Sequence, residues 1–179
     1  FAKGYKYEKD VNGVEQGRLI SDSFAPTFIT LTMGAEYHPV EYFKLRLSPI
    51  APRVTLLPNN DGRYIAVDSL RPYGVEVGKS ARFEWLAFQL LAEYNRDIAT
   101  NVNLKWRYIL FANYQTLEAN KIDHRLDLNL TAKVNKFVNA SLGGIFLYDF
   151  DQDISAQFSQ AFSLGILYTF QNYKDEKEK

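Results

Sequence analysis

Near its C-terminal end the chain contains the run Ser163-Leu164-Gly165-Ile166-Leu167-Tyr168-Thr169-Phe170. Large apolar residues occupy every second position from Leu164 to Phe170, which is the two-residue period of a β-strand. The serine, glycine and two aromatic residues of this run have the spacing that recurs upstream at Ser141, Gly143, Phe146 and Tyr148. Thr32, Gly34 and Tyr37 repeat the spacing more loosely. The repetition, on segments that all alternate strongly, predicts an all-β chain.

Ser163, Gly165, Tyr168 and Phe170 resemble the β-signal, the strand that closes outer-membrane β-barrels. The barrel assembly machinery recognises such a strand by adding it to the edge of a sheet. We therefore predict an antiparallel up-and-down transmembrane β-barrel in a bacterial outer membrane. Residues 1–170 are expected to form its wall and residues 171–179 a charged periplasmic tail.

The composition of the chain is compatible with this prediction and excludes several other classes. The 179 residues include 21 basic and 21 acidic side chains, so no net charge favours nucleic acid as a partner. There is no cysteine, and hence no disulfide or thiolate metal site. Twelve tyrosines suit a bilayer interface, where the ring lies among the headgroups and the hydroxyl stays hydrated. No apolar run approaches the roughly 20 residues of a transmembrane helix.

The alternating segments predict about eight strands, and the connections between them alternate in length. The predicted strands are 1–7, 29–37, 43–48, 78–94, 102–114, 125–134, 140–148 and 163–170. Short turns are expected at 38–41, 95–100 and 135–137, and longer connections at 8–22, 53–75 and 115–123. Short periplasmic turns and long extracellular loops are typical of outer-membrane barrels. Because a strand begins at Phe1, we expect a fragment whose wall continues upstream.

Charged residues concentrate on the face of the predicted strands that would line the barrel interior. They are Glu36, Lys44, Arg46, Glu93, Lys105, Arg107, Arg125, Asp127 and Lys133. A turn centred on Val40 would place Glu36 opposite Lys44, and Glu93 could meet Lys105 diagonally. Such charges either form a plugging network of ion pairs or line a pore, and mixed signs make a poor ion filter.

Two groups of residues at the predicted extracellular rim are weak candidates for chemistry. Asp149, Asp151 and Asp153 could bind a hard cation or a cation bridging lipopolysaccharide, although the glycine and glutamate of an EF-hand loop are absent. A solvated acidic loop is the alternative. His124 follows Asp123, and a carboxylate could orient this imidazole for base catalysis. No phosphate-binding loop, metal motif or nucleophile elbow occurs, so we predict no cofactor and no enzyme.

The chain resembles the domain of unknown function 3078 family over residues 24–170. The resemblance rests on Gly34–Pro39, Leu47–Pro49, Tyr73-Gly74-Val75, Gly78-Lys79, Arg82, Asn101-Val102, Leu110–Tyr114, Ile122-Asp123, Val134–Lys136 and Tyr148–Asp151. It implies an outer-membrane barrel of Bacteroidota-type bacteria, with additional strands upstream and no established catalytic residues. The tail after Phe170 departs from barrels that end on the aromatic residue.

Three functions are compatible with these observations. The first is a structural envelope component, or a subunit docked to other outer-membrane proteins, with lipid and lipopolysaccharide around it. The second is a channel for small solutes through the charged lumen, and the third is a rim enzyme using His124. The competing fold is a soluble barrel or sandwich in which the apolar face would be the core.

Overall fold

A computed structural model of the chain describes residues 3–9, 15–64, 70–153, 155–166 and 168. These residues form twelve β-strands and three short 3₁₀ turns. The strands are β1 (Gly4–Lys9), β2 (Glu15–Ser21), β3 (Thr27–Thr30), β4 (Met33–Val40), β5 (Phe43–Ile50), β6 (Arg53–Leu56), β7 (Ala81–Glu84), β8 (Ala87–Ala99), β9 (Val102–Asn113), β10 (Asp123–Lys133), β11 (Val138–Tyr148) and β12 (Gln157–Ile166). No helix within the described ranges is long and apolar enough to cross a membrane.

Seven of the strands form the principal sheet, in the order β12-β11-β10-β9-β8-β5-β4. Every neighbouring pair in it is antiparallel. The all-β antiparallel prediction is therefore confirmed. In the part of the chain that the structure describes, β4 and β12 each have a single neighbour, so the sheet is open and a closed barrel is not observed.

The principal sheet has one apolar and one polar face, as the alternation predicts. Register places Leu126, Leu128 and Leu130 beside Tyr108, Trp106 and Leu104. The intervening residues of β10 and β9 point to the opposite side because successive side chains of a strand alternate. On the apolar face Leu142 is 47 % exposed and Phe162 is 67 % exposed. The side chains of this face are therefore not covered by another layer in the part of the chain that the structure describes.

The strands of the principal sheet are staggered. Phe43, the first residue of β5, pairs with Tyr94, but β8 continues to Ala99. The β8–β9 hairpin therefore extends beyond the β4–β5 turn. Such stagger accompanies strands that are tilted, as they are in barrels.

The connections 38–41, 95–100 and 8–22 differ from the sequence-based prediction. The first turn lies at 41–42 rather than 38–41, because β4 continues to Val40. The turn expected at 95–100 is instead two residues, Thr100 and Asn101, and Asn101 adopts a φ of 63°. Asparagine tolerates this left-handed conformation, and the strand register is irregular between Asp97 and Ala99 beside the turn. The supposed polar loop 8–22 contains β2, which pairs with β1.

Two predicted strands are divided in the structure, and the last one begins earlier than expected. The segment 29–37 breaks at 31–32 into β3 and β4, and the segment 78–94 breaks at 85–86 into β7 and β8. β3, β6 and β7 form a separate three-stranded sheet. β6 lies in the excursion 53–75 that was expected to be a loop. The closing strand starts at Gln157 rather than Ser163.

The segment between β5 and β8, together with β3, forms a cap over one end of the polar face. Its own core contains Leu57, Tyr64, Tyr73 and Val75. It meets the principal sheet where Ala51 packs with Ala87 and Phe111, which are all buried. Both Ala87 and Phe111 belong to the polar face, as their register shows. We call residues 51–86 the capping segment.

Candidate functional site

All nine charged residues predicted to line the interior lie on the polar face of the principal sheet. Four of them form one row across four strands, in which Lys44, Glu93, Arg107 and Asp127 lie directly opposite one another in turn. The charges alternate in sign along this row, which is the favourable arrangement for cross-strand neighbours. Arg107 Nε lies 3.5 Å from Glu93 Oε1. We call these four residues the charge ladder.

Two of the predicted charge pairs are replaced by other pairs in the structure. Glu36 lies opposite Arg46, not Lys44, and its Oε2 accepts a hydrogen bond of 2.9 Å from Arg46 Nε. The reason is the later turn, together with an irregularity between Tyr37 and Val40. Glu93 pairs with Arg107 rather than Lys105, which lies opposite Asn95 and Asn129.

Beyond the ladder, the capping segment is joined to the rim of the sheet by Arg53. Arg53 Nη1 donates to Asp123 Oδ2 at 2.6 Å. The same guanidinium lies over the ring of Phe111, with its Cζ 3.3 Å from the ring centroid. Both partners of this ion pair are largely buried. Removing either partner of such a buried ion pair would destabilise the fold, because the other partner would remain as an uncompensated buried charge.

Arg82 makes the second connection from the capping segment. Arg82 Nη1 donates to Asp151 Oδ2 at 2.6 Å, and Arg82 Nη2 lies 3.2 Å from Glu84 Oε1. Glu84 in turn accepts a hydrogen bond of 2.8 Å from Asn113 Nδ2, at the end of β9. The Arg82 guanidinium lies against the backbone of Gly74, where an added Cβ would meet Nη1 at 1.7 Å.

These groups surround a cavity of about 290 Å³. Its charged lining consists of Arg53, Arg71, Arg82, Lys121, Glu84, Asp123 and Asp151. We call it the rim cavity. Asp123, Asp151 and Arg82 were named from the sequence, but no ion-pair network was predicted for any residue of this lining. Arg53 and Asp123 are 70 residues apart, and no local pattern predicts such a pairing.

The three aspartates proposed as cation ligands make other bonds in the structure. Asp149 Oδ1 accepts from the Asp151 backbone amide at 3.0 Å, and Asp149 Oδ2 accepts from Gln152 Nε2 at 2.6 Å. Asp153 Oδ1 accepts from the Ser155 backbone amide. Burial raises the pKa of the Asp149 carboxyl, and the Asp151 carboxylate acts in the same direction against the hydrogen bond from Gln152. Across the described ranges, no three His, Asp or Glu side chains are grouped to hold a metal ion.

His124 lies on the apolar face, whereas Asp123 lies on the polar face with Arg53. The Nδ1 atom of His124 is 2.7 Å from the Tyr108 hydroxyl. The imidazole also lies beside the ring of Tyr148, with centroids 6.3 Å apart. The structure therefore does not bring His124 together with the acidic groups at the rim. His124 takes part in an aromatic cluster.

Of the β-signal residues, Ser163 and Gly165 lie on the edge strand β12, and Tyr168 lies just beyond its last residue, Ile166. Ser163 pairs with Ser141 and Gly165 with Asn139. Tyr168 contacts Phe137, with ring centroids 6.5 Å apart. Phe170 and the predicted tail 171–179 lie outside the described residues.

No family model, curated protein or solved structure matches the chain. The resemblance to the domain of unknown function 3078 family thus stays a prediction.

Proposed function

We propose that the principal sheet forms the wall of an outer-membrane β-barrel, with its leucine face toward lipid and its charged face toward a largely plugged interior. In this proposal the protein is a structural component of the bacterial envelope, or a subunit of an outer-membrane complex. The resemblance to the domain of unknown function 3078 family points the same way.

The observation that supports this proposal most strongly is the side on which the capping segment packs. In a soluble sandwich the second layer covers the apolar face of the sheet. Here the capping segment lies on the polar face, where Arg53 covers Phe111 and Glu84 binds Asn113. The apolar face, with Phe162 and Leu164 each 67 % exposed, stays open. A contiguous apolar surface of this kind indicates a partner or a membrane.

Aromatic contacts near the two ends of the sheet support an orientation in a bilayer. Near the short turns, Tyr42 contacts Tyr94 with ring centroids 5.6 Å apart, and Phe137 contacts Tyr168. Toward the other end, His124 lies between Tyr108 and Tyr148. Aromatic girdles at both interfaces are typical of transmembrane barrels. A sheet in lipid cannot leave an edge unpaired, so β4 and β12 would be paired in the membrane, with each other or with further strands.

The charge ladder favours a plugged interior over a selective channel. Lys44, Glu93, Arg107 and Asp127 alternate in sign along the row, with Glu93 paired to Arg107 and Asp127 to Arg125, whereas selective pores present rings of one sign. The capping segment also occupies one end of the same face. We therefore place the structural role before solute transport.

Fractionation of the intact protein, with gel migration compared before and after boiling, tests the proposal. We expect it in the outer membrane, with a mobility that changes on heating because a closed barrel resists unfolding by detergent. A soluble protein without a shift would contradict the membrane assignment. Conductance in planar bilayers then separates the two roles: a plugged barrel gives no stable channel, and steady openings would favour transport.

A further inference from the structure

We propose that the three-stranded sheet of β3, β6 and β7 binds membrane lipid at the boundary between acyl chains and headgroups, through the face that carries Ile29, Val54 and Phe83. We call this sheet the small sheet and this side of it the outer face. The inference rests on the proposed function, and it extends the lipid-facing surface from the principal sheet to the outer side of the cap.

The first argument is that the small sheet continues the strand ladder of the principal sheet. Ser48 lies opposite Gln89 in the principal sheet. Arg53 lies opposite Glu84 in the small sheet, the same number of residues further along both segments. β5 with β6, and β7 with β8, are therefore consecutive parts of the same paired segments. The small sheet is an extension of the wall beyond a bend.

The second argument concerns the length of strand that a bilayer requires. A tilted strand of a transmembrane barrel needs about 9–11 residues to cross the hydrocarbon. β4 and β5 have eight residues each, which is too few. β3 precedes β4 and β6 follows β5, and each of them adds four residues. This side of the wall therefore spans the hydrocarbon only when the small sheet is included.

The third argument is the difference between the two faces of the small sheet. The charged side chains of its three strands, which the structure describes completely, all line the rim cavity, and they are Arg53, Arg82 and Glu84. On the opposite face Ile29, Val54 and Phe83 lie side by side. Because the rim cavity lies on the polar side of the wall, this uncharged row points outward, to the same side as the leucine face.

Two aromatic residues give the outer face the character of a membrane interface. The rings of Phe83 and Trp85 stack, with centroids 5.5 Å apart and an interplanar angle of 9°. Both are well exposed, Phe83 at 54 % and Trp85 at 67 %. Tryptophan is enriched at the level of the lipid headgroups, where one part of the ring is in an apolar environment and the indole N–H stays hydrated. An exposed apolar surface that extends the leucine face and carries no charge therefore fits lipid.

The two tryptophans of the chain allow this proposal to be tested separately from the proposed function. Trp106→Phe leaves Trp85 beside the small sheet, and the matched variant Trp85→Phe leaves Trp106 on the apolar face of the principal sheet. The intact variants are placed in phosphatidylcholine vesicles, and their fluorescence is measured with phosphatidylcholine brominated near the headgroup and with aqueous iodide. Heat-dependent gel mobility and circular dichroism verify that each variant is folded.

We expect the brominated lipid to roughly halve the emission of Trp85, because a ring at the headgroup level lies close to the bromine atoms. Iodide should quench Trp85 only weakly, and Trp106 should be quenched by brominated lipid as well.

Three results would overturn the proposal. If lipid quenches Trp106 but iodide quenches Trp85, the outer face lies in water, and only this proposal fails. If lipid quenches Trp106 and neither quencher reaches Trp85, a protein partner covers the outer face instead of lipid. If brominated lipid quenches neither tryptophan, the proposed function fails together with this inference.

Discussion

An arginine placed at Leu130 should destabilise the protein far more than an arginine placed at its neighbour Asn129. Leu130 lies inside β10, three residues before its last residue, and between Leu104 and Leu142 on the apolar face. An arginine at the bilayer midplane of a barrel costs about 2–4 kcal/mol. That corresponds to a loss of roughly 30- to 700-fold in the ratio of folded to unfolded protein.

Asn129→Arg introduces the same charge on the opposite face. It would lie opposite Lys105, and one such like-charge contact costs about 0.2–1 kcal/mol. The two variants therefore separate the faces of a single strand. Urea unfolding in phospholipid vesicles, followed by the fluorescence of the two tryptophans, measures both free energies.

A position at the end of the strand distinguishes lipid from a protein core. Val134 follows the last residue of β10, and it is 64 % exposed. In a bilayer the cost of arginine falls to about 0–1 kcal/mol near the interface. Equal costs at Leu130 and Asn129 would refute the assignment of the faces. Equal costs at Leu130 and Val134 would refute the bilayer as the environment of the leucine face.

Two further predictions concern the capping segment and the rim beside it. Gly74→Ala should destabilise the protein more than Gly78→Ala. Both glycines have a positive φ, which costs alanine about 1–2 kcal/mol, but only at Gly74 would the new Cβ collide with Arg82. Equal melting temperatures for the two variants would contradict the Arg82 contact. The pKa of Asp149 is raised in the folded state, so the folded protein binds this proton more tightly than the unfolded protein does. The free energy of unfolding should therefore fall as the pH rises from the unfolded pKa near 3.8 through the folded pKa. Asp149→Asn should remove that part of the pH dependence, and an unchanged pH profile of the melting temperature would show that burial does not perturb this carboxyl.

The strands that could be predicted from the sequence are the long ones with regular alternation. β9, β10 and β11 were expected within a few residues of their observed bounds, and the register of Leu128 with Trp106 confirms that the apolar residues of β9 and β10 share one face of the sheet. Local alternation suffices here because each of these strands pairs with the strand that follows it along the chain. The hairpin partner then fixes the register.

The same pattern could not reveal where the chain changes sheets. Alternation continues from Ile29 through Leu31 to Met33, although β3 and β4 belong to different sheets. A period of two specifies which side a residue faces, but not which neighbour the strand pairs with. The rim cavity was missed for a related reason. Its ion pairs join Arg53 to Asp123 and Arg82 to Asp151, which only the packing of the capping segment brings together.

Spin labelling tests directly whether the leucine face contacts lipid. The chain contains no cysteine, so single cysteines can be placed along β10 at Asp127, Leu128, Asn129 and Leu130. With the protein in a bilayer, labels at Leu128 and Leu130 should be accessible to oxygen and shielded from a water-soluble nickel chelate. Labels at Asp127 and Asn129 should show the weaker oxygen access of a polar interior. An accessibility that does not alternate along β10, or that is high for the nickel chelate at Leu130, would contradict the account.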